Sequence, residues 1–108
     1  MREKLIERLE YLRGAIVEVN TEVFNASKDL LVAKSVLQDK EDSPLTGGLI
    51  DGKNAEIRAA QIRELTSDER ANVYVAESTL DGSRTTLSNL NTDLRINLAL
   101  VELVKGVA

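Results

Sequence analysis

Leu5, Leu9, Leu12, Ile16, Val19, Val23, Ala26, Leu30, Ala33 and Leu37 follow one another at alternating steps of four and three residues. On an α-helix that spacing gathers every one of them along a single seam, the geometry of coiled-coil packing. Such a helix has no stable existence alone, because its apolar seam must be buried against another helix. The repeat therefore fixes an architecture and a need for partners before it says anything about chemistry.

A second heptad follows later, at Val73, Ala76, Leu80, Leu87, Leu90, Leu94, Val101 and Val104, with Ser83 and Asn97 at two further seam positions. Between the two repeats, residues 39–54 (DKEDSPLTGGLIDGKN) hold Pro44, Gly47, Gly48 and Gly52, and helical periodicity is lost. Periodicity resumes at Ala55 in AEIRAAQIREL, and Thr66 with Glu69 has the spacing of a capping box. These signals divide one domain, 1–108, into a helix over 2–40, a connector over 41–53, a short helix over 54–65 and a long helix over 67–105. The long helices, roughly 38 residues and 57 Å each at 1.5 Å per residue, are matched for an antiparallel hairpin. A single helix from 54 to 105 is the structural alternative; it would overhang its partner and pair only across an oligomer. Gly82 falls inside the second heptad without shifting its phase, which predicts a continuous helix there. Gly14 offers a place for a close helix crossing.

The apolar surface is wider than the seams. Val17, Phe24 and Leu31 form a parallel stripe at intervals of seven, and beyond Leu94 the residues Ile96, Leu98, Leu100 and Leu103 spread around the last helix. A two-helix hairpin cannot cover so broad an arc, so the expected fold is all-α: an antiparallel long-helix hairpin with a short connecting helix, assembling as a homo-oligomer into a helical bundle. The residues expected to carry assembly are Leu9, Leu12, Ile16, Val23, Leu30, Leu87, Leu90, Leu94 and Val101, with Asn97 as a polar register or oligomer-state device.

Composition narrows the chemistry. Hydrophobic residues make up 43% of the chain but aromatic residues only 3%, namely Tyr11, Phe24 and Tyr74, too few for an aromatic-lined ligand pocket. Without His or Cys there are no thiol nucleophiles, disulfides or common zinc ligands, and the usual proton-transfer side chain near neutral pH is missing. The expectation is a protein that is not an enzyme and needs no cofactor or metal. A net charge of −4 with interleaved signs argues against direct nucleic-acid binding. The charged start MREKLIERLE lacks a signal-peptide core, and no apolar run approaches the length of a membrane span. A cytoplasmic protein with no membrane partner is expected.

Two stretches invite a sharper reading. Residues Gly47 to Asn54 approach the phosphate-loop pattern GxxxxGK[ST], but Asn54 stands where the hydroxyl residue belongs and no strand precedes the loop. A reduced form of the idea has Gly52, Lys53, Asn54 and Arg58 holding a phosphate-bearing ligand at a helix N-terminus. The plainer reading is a helix start, with Asn54, Arg58 and Gln61 pinning the connector by hydrogen bonds. The acids Glu3, Glu7, Glu10, Glu18 and Glu22 read as a solvated face, and Asp39, Glu41, Asp42 and Asp51 match no calcium-loop spacing.

The run Gly52-Lys53-Asn54 followed by Arg58, Gln61, Glu64, Thr66, Glu69 and Arg70 resembles small all-helical hairpin accessory proteins encoded by bacteriophages and prophage-like islands. The resemblance covers the C-terminal half and implies an accessory protein: one that assists recombination or replication, occupies a particle, or antagonises a host defence. It carries over no functional residue. The leading expectation is thus a non-catalytic interaction or scaffolding protein that partners itself and another protein. The alternatives are a protein that binds or sequesters a small phosphate-bearing ligand such as a nucleotide, and a regulator of nucleic-acid transactions recruited through protein contacts.

Overall fold

The structure, a computed structural model, describes residues 1–43, 48, 50 and 52–107. The chain is all-α, and no strand occurs among the described residues. Helix α1 runs Arg2–Asp42, helix α2 Ala55–Leu65 and helix α3 Ser67–Val107. Both long helices extend two residues past their expected ends. Acids in the first turns (Glu3 in α1, Asp68 and Glu69 in α3) and lysines in the last (Lys40, Lys105) suit the helix dipole at each end. Pro44, Gly47, Leu49 and Asp51 of the connector lie outside the described residues.

The seam residues take the positions their spacing requires. Leu12, Val19 and Ala26 of α1 and Leu80 of α3 are buried, and all the other seam residues are half-buried, including Ser83 and Asn97. The stripe beside the seam is left in solvent: Val17, Phe24 and Leu31 are each about two-thirds exposed. α3 passes through Gly82 without a break, and Thr86 Oγ1 donates to the Gly82 carbonyl at 3.0 Å. Thr79 and Thr92 make the same bond to the carbonyls of Val75 and Ser88, which satisfies hydroxyls that would otherwise compete with the helix ladder. Gly14 mediates no close crossing, because a Cβ there would meet nothing within 4 Å.

The chain packs as two compact units, and both long helices contribute to each. The first unit comprises Met1–Asn25 and Asp81–Ala108. Its helical segments run antiparallel, with Leu5 and Leu9 set against Val101 and Val104, and the Arg8 guanidinium 3.3 Å from Asp93. Arg8 also lies over the Tyr11 ring, 5.1 Å from its centroid. The second unit, Ala26–Leu80, is antiparallel too. Ala26 faces Ala76 and Thr79, while Val36 faces Glu69.

α2 and α3 are separated at Thr66, where the backbone departs from the helix (φ −110°, ψ 19°). Helical bonds bracket the break: Thr66 N–H donates to the Ile62 carbonyl at 3.0 Å and Arg70 N–H to the Thr66 carbonyl at 2.9 Å. The expected capping box does not form as drawn. Thr66 turns its hydroxyl back to the Ile62 carbonyl at 2.7 Å, and Glu69 pairs with Lys40 of α1. Thr66 lies at the heptad position preceding Glu69 and Val73, so it continues the α3 seam and is fully buried.

Candidate functional site

Two regions concentrate the side chains that sequence reasoning singled out. The first is the start of α2, in the second unit. Asn54 has extended backbone (φ −140°, ψ 171°) and its Oδ1 accepts from the Ile57 N–H at 2.9 Å, as an N-cap does. Gly52 N–H donates to Gln61 Oε1 at 3.0 Å. A Cβ on Gly52 would lie 2.6 Å from Ile57 Cγ2 and 3.0 Å from the Arg58 nitrogen, so only glycine allows this loop to approach the helix so closely. The structure brings Gly52, Asn54 and Gln61 together as a helix cap and leaves the Lys53 and Arg58 side chains exposed. The amide of Gly52 and the side chain of Asn54, which a phosphate would call upon, already serve that cap.

Close by in sequence, the ends of α1 and α3 are joined by charge. Lys40 pairs with Glu69, and Arg70 Nη2 donates to Glu41 Oε1 at 3.2 Å. Lys40 and Glu69 both continue their helices' seam phase, so the apolar seam ends here in a charged layer. Arg70 Nε also donates to the buried Thr66 hydroxyl at 3.0 Å, which ties this layer to the α2–α3 break. Glu69 is 13% exposed, and its Oε2 is buried without a hydrogen-bond partner among the described residues. The hydrogen bond and charge of Lys40 hold the Glu69 carboxyl below its ordinary value, against the opposing effect of burial. Sequence reasoning missed this layer because it followed apolar residues only. Carrying the heptad phase three steps outward, to Lys40, Thr66 and Glu69, would have found it.

The second region is apolar surface, and each unit has its own. In the first unit, Leu5, Ile6, Leu9, Val101 and Val104 line an open cleft of about 250 Å³ with Arg2 and Lys105 at its sides. On α3 of that unit Ile96, Leu98, Leu100 and Leu103 are all exposed. In the second unit Leu31, Val32, Val36, Tyr74 and Val75 are exposed. Leu9, Leu12, Ile16, Val23, Leu30, Leu87, Leu90, Leu94, Asn97 and Val101, expected to carry assembly, are already buried or half-buried within one chain. Asn97 directs its amide N–H to the Asp93 carbonyl of its own helix at 2.8 Å. Apolar area open to solvent lies on the outer faces and in the cleft that the seam residues Leu5, Leu9, Val101 and Val104 line.

Among the described residues no helix is long and apolar enough to cross a membrane, and no group of three or more acidic residues could hold a metal ion. No protein-family model, curated protein or solved structure matches the chain.

Proposed function

We propose that this chain is a non-catalytic, oligomeric interaction or scaffolding protein, a cytoplasmic accessory factor of a phage or mobile element that acts through protein partners. The observation that supports the reading is the amount of apolar surface left in solvent once the seams are filled. Large residues such as Val17, Leu31, Val32, Tyr74, Val75 and Leu103 are each more than 60% exposed. Monomeric proteins seldom carry so much exposed apolar side chain, whereas surfaces that meet another protein do. A phosphate-binding role finds less support, since the Gly52 amide and the Asn54 side chain are hydrogen-bonded within the cap.

Native mass spectrometry of the purified protein tests the reading, because it reports subunit number and retained mass together. The expected result is a discrete oligomer with no added mass. A monomer throughout the accessible concentration range contradicts the proposal, and an added mass of a few hundred daltons lost in Lys53→Ala transfers the assignment to ligand binding.

A further inference from the structure

The exposed apolar residues near the end of α3 are ordered. Ile96, Leu100 and Leu103, at 54%, 39% and 65% exposure, have the i, i+4, i+7 spacing of one helical stripe, with Ala99 beside them. The heptad phase of α3 turns this stripe away from the seam formed by Leu94, Asn97, Val101 and Val104. Along one edge of it lie Arg95 and Glu102, opposite charges seven residues apart. Arg95 Nη2 donates to Thr92 Oγ1 of its own helix at 3.3 Å. Glu102 stands 3.9 Å from Lys105, with both side chains at least 70% exposed, so solvent screens that pair heavily.

We propose that this stripe is a homodimer contact in which α3 of a second copy packs antiparallel across a two-fold axis near Ala99. This rests on the self-associating reading above and names its interface. The pattern is its own complement under that symmetry. Ile96 of each copy meets Leu103 of the other, Leu100 and Ala99 fill the centre, and each Arg95 faces the other copy's Glu102. The antiparallel two-fold sets the same edge of each helix face to face, which is what brings Arg95 opposite Glu102. A parallel two-fold brings opposite edges together and leaves both charges without that partner, so charge favours the antiparallel arrangement.

The full chain carries no cysteine, so a single introduced thiol reports position without interference. Ala99→Cys, treated with a short bismaleimide, is expected to give a covalent dimer, and the exposed Ala71→Cys is not. In sedimentation velocity, Arg95→Glu and Glu102→Arg each weaken self-association about tenfold, and the double charge swap restores it to near wild type. All these positions are exposed, so circular dichroism should show unchanged helicity. A wild-type chain that stays monomeric overturns both the reading and the interface. A wild-type oligomer indifferent to the charge variants, with no cross-link at position 99, overturns the interface alone.

Discussion

The two compact units use the same two helices and are fastened by different physics. In the unit formed by Ala26–Leu80 the seam ends in a charged layer: Lys40 with Glu69, Glu41 with Arg70, and the buried Thr66 hydroxyl bonded to both Ile62 and Arg70. The unit formed by Met1–Asn25 and Asp81–Ala108 has the exposed Arg8–Asp93 pair, 47% accessible on each side, and its seam runs out into an open apolar cleft. Directional bonds favour one register, because a shifted pairing would take Lys40 from the mostly covered Glu69 carboxylate and Arg70 from Glu41. Apolar surface is tolerant of partner and geometry, and is suited to being covered by another protein. The comparison teaches that one seam closes on directional polar bonds while the other ends on open apolar side chains, although both units leave apolar residues exposed on their outer faces.

Removing apolar packing tests the first unit most severely. Leu12 is wholly buried, and Leu12→Ala should cost about 3 kcal/mol in chemical denaturation, while Val17→Ala on the exposed stripe should change stability by less than about 0.5 kcal/mol. Equal losses at the two positions would mean that the outer stripe is as well packed as the seam. In the second unit the largest polar effect is expected at Thr66→Val. The change keeps the shape but removes the acceptor of Arg70 and the donor to Ile62, for about 1–2 kcal/mol.

Acidification separates the units further. Glu69 has a carboxyl held below its ordinary value by Lys40, so the stability it contributes is present above the unfolded-state value and is lost as pH falls through the folded one. Wild type should therefore weaken below about pH 4.3, the ordinary glutamate value, and Glu69→Gln should remove part of that slope. Thermal melts of the pair between neutral and acid pH measure the difference. An unchanged slope would detach Glu69 from the charged layer. The smallest effects come from two glycines with opposite signs. Gly82→Ala, where a Cβ meets nothing, should stabilise by about 0.5–1 kcal/mol. Gly52→Ala should destabilise instead, because its Cβ would press on Ile57 and the Arg58 nitrogen.

The apolar seams were fully legible in the sequence, since a step of four and three is a direct image of helical geometry and every seam residue proved buried or half-buried. The start of the short helix was legible to within one residue, since Asn54 caps it from outside. Of the three side chains expected to pin the connector, only that of Gln61 bonds to it among the described residues, at Gly52. The charged layer was not, because Lys40, Thr66 and Glu69 belong to the seam by phase but not by hydropathy, and hydropathy drew the boundary too early. Thr66 and Glu69 also mimic a capping box, a local signal outcompeted by burial of Thr66 and by the Lys40 charge. The hairpin that pairs the two seams was legible from their matched lengths. The apolar residues outside the seams, such as Val17, Phe24, Leu31 and Leu103, stay exposed because a second helix covers only one arc of each long helix.

Melting temperature as a function of protein concentration tests the account most directly, because only a folded state that is also an assembled state gains stability by mass action. The account predicts a melting temperature that climbs steadily over a hundredfold rise in concentration. A melting temperature independent of concentration would show the single chain to be self-sufficient, its exposed apolar faces notwithstanding, and would contradict the central claim.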